Sequence, residues 1–277
     1  MKKYAFLMSS CDIYEDLWEP FFECLDLMWD NMEAPIYLNT EHKIFVPQKK
    51  LGFEVKTLNQ EGKKALSWST RMIKALSRIE KDYIFLVLDD FFVCDKVDAA
   101  KIDQIISIME ADPTIASFQL YGTRIRNKAP EQYICEDSLQ YKLMGKEGWK
   151  THFVPTVWRK STLLKWLRPW ESIWAFEGYG SERARRWNYS EKVFVVENPP
   201  VYDYLWIKDC SAVINGKWLA EEELLSFFAD NHIQVDWSHR GKMTYEEYQA
   251  ITFSDVVKKY TPVQIIQKCI NRVRSFF

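Results

Sequence analysis

Glycine is scarce in this chain: only 9 of its 277 residues are Gly, against a usual share of roughly 7%. Those glycines never fall in a GxGxxG pattern, and no GxxxxGK(S/T) occurs. Backbone cradles for phosphate depend on such glycines for close approach. A nucleotide bound here would need another device to neutralise its phosphates. Charge of one sign is lacking too: 37 Lys and Arg face 39 Asp and Glu. That balance excludes the basic footprint of a nucleic-acid binder. The six cysteines, at 11, 24, 94, 135, 210 and 269, make no CxxC and no zinc spacing with the four histidines. They read as reduced thiols of a cytoplasmic protein. No run approaches the roughly 18 apolar residues of a membrane span. The apolar stretch Tyr4–Met8 is shorter than the roughly 7–15 residues of a signal-peptide core, and reads as a first strand. No period of 20–50 residues repeats, which excludes a solenoid.

What is present is a folded, aromatic-rich chain, with 47% hydrophobic residues and 16% Phe, Trp and Tyr. Short apolar runs alternate with helical stripes. Strands are expected at Lys3–Met8, Ile36–Leu38, Phe53–Leu58, Tyr83–Leu88 and Ile115–Leu120. Between them, Phe21, Leu25, Met28, Trp29 and Met32 recur at helical spacing, as do Trp68, Met72, Ile73, Leu76 and Ile79. A third helix carries Ile102, Ile105, Ile106 and Met109, with Asp98 as its cap. Such alternation over 1–120 predicts an α/β fold, a mostly parallel sheet flanked by helices. The second half is less regular. Strands are expected at Phe153–Trp158 and Val193–Val196, helices at Ser161–Leu167, Trp174–Trp187, Leu219–Phe228 and Tyr245–Ile251, and a turn at Asn215-Gly216. Thr261-Pro262-Val263-Gln264 is a capping box opening a last helix to Phe277. The chain thus divides into an α/β half, 1–120, a second half of the same domain, 121–240, and a helical C-terminal extension, 241–277.

The strongest signal of chemistry is Asp89-Asp90, directly after the most apolar run, Tyr83–Leu88. Ligands of open α/β sheets bind beyond the carboxyl ends of strands. Two adjacent carboxylates there repel each other and lose solvent. A divalent cation, Mn²⁺ or Mg²⁺, relieves both problems and bridges to substrate phosphates.

Around this pair the sequence resembles bacterial glycosyltransferases of the GT-A fold, of the kind that build capsular, exo- and lipopolysaccharides. The resemblance rests on Ser9-Ser10-Cys11-Asp12 with Tyr14-Glu15-Asp16-Leu17-Trp18, on Trp68-Ser69-Thr70-Arg71, on Leu88-Asp89-Asp90-Phe91-Phe92, on Trp170-Glu171 with Trp174-Ala175-Phe176-Glu177, and on Asn215-Gly216-Lys217-Trp218. It covers residues 4–220. It implies a GT-A-like, Rossmann-related sheet, a nucleotide-sugar donor, most often UDP-linked, and a divalent metal. It implies Asp90 as metal ligand and Asp89 on the ribose side, although the pair is DD rather than DxD. Ser9, Ser10 and Asp12 would hold base and ribose.

Arg71 and Lys217 are candidates to offset charge on the leaving phosphate. Glu177 matches the family's acidic residue at the start of its helix and is the expected base for an inverting transfer, with Glu182 in reserve. Trp174 and Phe176 would form a platform under an acceptor sugar. His239 is a further metal candidate. The acceptor implied is a glycan or lipid-linked glycan. The terminal stripe Val263, Ile266, Ile270, Val273 and Phe277, with Lys268, Arg272 and Arg274, suits a membrane interface, its own domain or the partner of a homodimer equally. The implied location is cytoplasmic, or peripheral at the inner face of the membrane. Two other readings remain open: a sugar nucleotidyltransferase, and a fold that binds nucleotide or carbohydrate without turnover. Against the first stands the absence of a Gly-rich loop after the first strand.

Overall fold

A computed structural model describes residues 2–60, 65–120, 134–136, 139–197, 200–251 and 269–274. In chain order the strands are β1 (Tyr4–Ser9), β2 (Ile36–Asn39), β3 (Val55–Leu58), β4 (Tyr83–Leu88), β5 (Ile115–Gln119), β6 (Ile134–Glu136), β7 (Leu139–Leu143), β8 (Thr156–Arg159), β9 (Lys192–Val196), β10 (Val213–Ile214), β11 (Lys217–Leu219) and β12 (Lys242–Met243). The helices are α1 (Trp18–Met28), α2 (Trp68–Arg78), α3 (Ala99–Ala111), α4 (Lys160–Trp166), α5 (Ile173–Arg186), α6 (Glu222–Asp230), α7 (Trp237–Arg240) and α8 (Tyr245–Gln249). A 3₁₀ segment, Asp12–Leu17, leads into α1.

The main sheet has nine strands in the order β3-β2-β1-β4-β8-β5-β9-β7-β6. Strands β3, β2, β1 and β4 are mutually parallel, β8 and β7 are reversed, and β5 and β9 run parallel to each other. The expected mostly parallel α/β sheet is therefore observed. Alternation of side chains explains why β1 and β4 are apolar throughout. Tyr4, Phe6, Met8, Tyr83, Phe85 and Val87 enter one core, where α1 and α3 pack. Ala5, Leu7, Ile84 and Leu86 enter the other, under α2, α4 and α5. Both faces of these strands are covered, as parallel strands require.

Two features of the second half depart from the expectation. Strands β6 and β7 extend the sheet edge. Leu219, expected to start a helix, instead ends β11, which pairs with β10 and β12 in a small separate sheet. The reason is the Asn215-Gly216 turn, where both residues take positive φ, 51° and 79°. That geometry folds β10 onto β11, and α6 starts only at Glu222. The expected terminal helix lies mostly outside the described residues. Of its stripe, Ile270 and Val273 are described; both are exposed, and the neighbouring Arg274 stacks on Trp170 at 5.0 Å. No described helix is long and apolar enough to cross a membrane.

Candidate functional site

The sheet order changes direction at β1, with β2 on one side and β4 on the other. This is the topological switch point where ligands of open α/β sheets bind. The register places Ser9 opposite Leu88, so the residues that follow, Ser10 and Asp89, emerge side by side. The Ser10 hydroxyl donates a short bond to Asp89 Oδ2. It also accepts from the Trp18 indole at 2.7 Å. Ser9 accepts from the Trp68 indole at 2.9 Å. Both serines are buried, and their hydroxyls are engaged within the protein. They orient Asp89 and Trp68, and both serines line a cavity at the β1 exit.

Asp12 is likewise committed. Its Oδ1 accepts from the backbone N–H groups of Glu41, His42 and Lys43 at 3.1, 3.0 and 3.2 Å. It anchors the loop after β2.

Asp90 differs from these. Its Oδ1 is buried and has no hydrogen-bond partner. An orphaned, solvent-shielded carboxylate oxygen is costly unless something binds it. Both aspartates are held above the ordinary carboxylate range because burial penalises their charge, and Asp90 raises Asp89 further. Ser10 on Asp89, Ser211 on Asp90 and the charge of Arg240 on both pull the other way.

Two cavities meet at this pair. One, of 350 Å³, is lined by the β1 exit, Trp68, Arg71, Asp89, Asp90 and Ser172–Trp174. The other, of 560 Å³, runs from Asp90 past Trp206 and 209–211 to the 213–216 turn and Tyr248. Tyr14, Asp90 and Trp174 line both, so they form one cleft. Its walls are held by identifiable contacts. Thr70 donates to the Pro169 carbonyl at 2.6 Å and the Ser69 N–H to that of Glu171 at 3.1 Å, which ties the 169–174 segment to α2. Leu205 N–H donates to the Phe92 carbonyl at 2.9 Å, and Val93 bridges Tyr204, so the chain leaving Asp90 carries 206–211 beside it. Arg240, only 5% exposed, makes a bidentate ion pair with Asp16 and stacks 4.5 Å over the Tyr14 ring. It also donates to the Gly216 carbonyl at 3.1 Å, joining the small sheet to the β1 exit.

The other expected site residues are distributed unevenly. Arg71 lines the cleft and donates to the Ser10 carbonyl at 3.0 Å. Trp174 stands 73% exposed at the junction of the two cavities. Phe176 is fully buried, its ring 5.6 Å from Trp68 and 5.8 Å from Phe153. It is core, not platform, because residues two apart on a helix point to nearly opposite sides. Glu177 is outside the lining of both cavities. Its Oε1 accepts from Phe153 N–H at 2.9 Å and lies 3.5 Å from His152 Nε2. Burial raises its pKa and lowers that of His152 to about 4. The reserve base Glu182 is half-buried and paired with Arg185 and Arg186. Lys217 is exposed and lines neither cavity, although its neighbours Asn215 and Gly216 do. His239 lies 4.0 Å from Asp16 and is half exposed.

Sequence reasoning gave no role to Tyr14, Asp209 or Arg240. Asp209 follows Lys208 in a tight turn in which both residues have positive φ, 49° and 62°, without a glycine. Backbone strain of this kind clusters at functional sites, but only coordinates show it.

The buried pair has a consequence for stability. A carboxyl raised in the fold favours its protonated form. Its stabilising effect is complete below the unfolded-state pKa and fades as pH rises through the folded one. Asp89→Asn should therefore raise the melting temperature of the metal-free protein near neutral pH, and the gap from wild type should widen as pH rises above the usual carboxylate range. Thermal melts in chelator across that range check this. A gap that closed with rising pH would be the wrong sign.

No family model matches the chain, and no curated protein does. Solved structures do show likeness. Residues 1–349 of S. aureus TarS share 10% identity over 99% of this chain and 80% of that one, with a TM-score of 0.46. The same fragment in complex with UDP-GlcNAc shares 12% over 86% and 69%, with a TM-score of 0.43. A cytidylyltransferase from Leptospira borgpetersenii serovar Hardjo-bovis shares 12% over 76% and 82%, at 0.41.

Proposed function

We propose that the chain is a transferase that uses a nucleotide sugar, a metal-dependent glycosyltransferase moving the sugar of a nucleoside diphosphate, UDP by preference, to a surface glycan. The observation that carries this reading is Asp90, whose buried Oδ1 has no partner at the point where the cleft crosses the switch point of the sheet. No cluster of three or more His, Cys, Asp or Glu able to hold a metal exists among the described residues. One or two carboxylates completed by substrate phosphates is the usual arrangement for Mg²⁺-type sites, and Asp90 with Asp89 fits it. Asp90 would bind the ion directly, since Asp89 Oδ2 is occupied by Ser10. A divalent cation bound there supplies Lewis-acid stabilisation of the departing diphosphate.

The chain's own groups divide the remaining work. Arg71, on the β1 side of Asp89, adds positive charge beside the nucleotide. Trp174 presents an apolar face to the acceptor sugar, at the meeting of the two cavities. A base must come within hydrogen-bond reach of the hydroxyl it deprotonates. Geometry ranks Asp209, which lines the cleft with Asp90, ahead of Glu177. The base variant, Asp209→Asn or Glu177→Gln, should keep donor binding and lose about a hundredfold or more in transfer. Transfer assays paired with UDP calorimetry on both variants decide the assignment. Unimpaired transfer in both would remove the carboxylate base.

Product analysis separates this reading from the sugar nucleotidyltransferase alternative. A glycosyltransferase releases nucleoside diphosphate from a nucleotide sugar, whereas a nucleotidyltransferase releases pyrophosphate from a nucleoside triphosphate. The β1 exit, Ser9-Ser10-Cys11-Asp12, has no glycine, which favours the former. A chain that only binds would release neither.

A further inference from the structure

The larger cavity of the cleft, 560 Å³, is lined by more than Asp90. Its size lies within the roughly 300–1,000 Å³ of small-molecule sites. Aromatic rings reach it from four separate segments: Tyr14 from the 3₁₀ segment, Trp174 from α5, Trp206 from the chain between β9 and β10, and Tyr248 from α8. Two of these rings are braced from behind. Arg240 lies 4.5 Å over the Tyr14 ring. The buried Tyr204 ring lies 5.7 Å from Trp206.

The charged groups on this wall are of one sign. Asp90 and Asp209 line the cavity, and no Lys, Arg or His does so among the described residues. The nearby cations are engaged elsewhere. Arg240 is paired with Asp16. Lys208, next to Asp209 in the chain, lies 2.6 Å from Glu221 and 5.2 Å from the Tyr245 ring. Lys217 is exposed and outside the lining. A cation at Asp90 would be met by the diphosphate of the donor, which leaves no positive charge for a second anion.

We propose that this cavity admits an uncharged pyranose as acceptor and rejects an anionic sugar, such as a uronate. The inference rests on the transferase reading and adds to it the charge class of the acceptor. A pyranose presents apolar C–H faces and a rim of hydroxyls. The faces suit the aromatic rings, and a hydroxyl can donate to the Asp209 carboxylate, a charge-assisted bond. An anionic substituent meets like charge in a cleft partly closed to water, where repulsion is stronger than in bulk solvent. Selectivity then comes from what the wall repels as much as from what it holds.

The test is a saturation-transfer NMR titration of the full chain with UDP and Mg²⁺ present. The probes are methyl glycosides of glucose, galactose and mannose, each paired with its uronide. The members of a pair differ only in a CH₂OH or a carboxylate at C6. At least one neutral glycoside should saturate, with its uronide about tenfold or more weaker. Asp209→Asn, which Asn's tolerance of positive φ permits, should narrow that gap about threefold or more. Trp174→Ala should weaken the neutral glycoside about tenfold. Trp174 is 73% exposed, so its removal spares the core, and unchanged melting temperatures confirm folding in both variants. No saturable neutral glycoside, a uronide bound as well as its partner, a gap that Asp209→Asn leaves as it was, or full affinity in Trp174→Ala would overturn the proposal. Metal-dependent UDP binding, measured in the same samples, reports on the transferase reading separately. UDP binding without charge discrimination sinks this proposal and spares that reading, and discrimination without UDP binding does the reverse.

Discussion

Asp90→Asn is expected to reduce sugar transfer by about a thousandfold or more, the scale of removing several kcal/mol of charge stabilisation from the departing diphosphate. The fold should survive. Asp90 makes no ion pair among the described residues, and its charge is held at a desolvation penalty. Asn keeps its shape and can still accept from Ser211. Loss of transfer together with an unchanged or raised melting temperature is the expected pairing, assayed by UDP release and thermal melts. A variant that loses both activity and fold would point to a structural role. A variant that keeps transfer would remove Asp90 from the chemistry.

Arg183→Met is expected to produce the largest loss of stability, about 3–5 kcal/mol. Arg183 and Glu171 form a bidentate ion pair that is 2% and 0% exposed. Arg183 also donates to the Trp166 carbonyl at 3.0 Å. Removing the cation strands the Glu171 carboxylate, which is closed to bulk solvent. The pair pins the 167–174 segment that carries Ser172, Ile173 and Trp174 into the cleft wall, so the damage should reach the site as well. The companion double variant, Glu171→Leu with Arg183→Met, removes both charges and should recover most of the stability. Urea unfolding of the two variants measures this. Equal losses in both would show that packing, rather than the stranded charge, carries the effect.

The first half of the fold was legible because its signals are local. Tyr83–Leu88 is a six-residue apolar run bounded by charge, and it is β4. Asp98 caps α3 as its spacing suggested, accepting from Lys101 N–H. Residues 213–219 were harder. The Asn215-Gly216 turn is visible in sequence, but strands of two and three residues carry too little periodicity to be told from a helix start.

The site divides in the same way. The aspartate pair announces itself at a strand end. The opposite wall does not, since Arg240 meets Asp16 across 224 residues and Asp209 is set by a strained turn. Trp174 and Phe176 look alike in sequence, and only the phase of α5 shows that one faces the cleft and the other the core. The glycine shortage keeps its meaning within the proposed function. Phosphate charge is met there by Asp89-Asp90 with a cation and by Arg71 of α2 rather than by a backbone cradle.

The central claim is that Asp90 holds a cation through which the nucleotide is bound. Its most direct test is calorimetric titration of UDP into the full chain with Mn²⁺ and again with excess chelator, for wild type and Asp90→Asn. The account predicts saturable binding only for wild type with Mn²⁺. UDP binding of equal strength in chelator, or in Asp90→Asn, would contradict it.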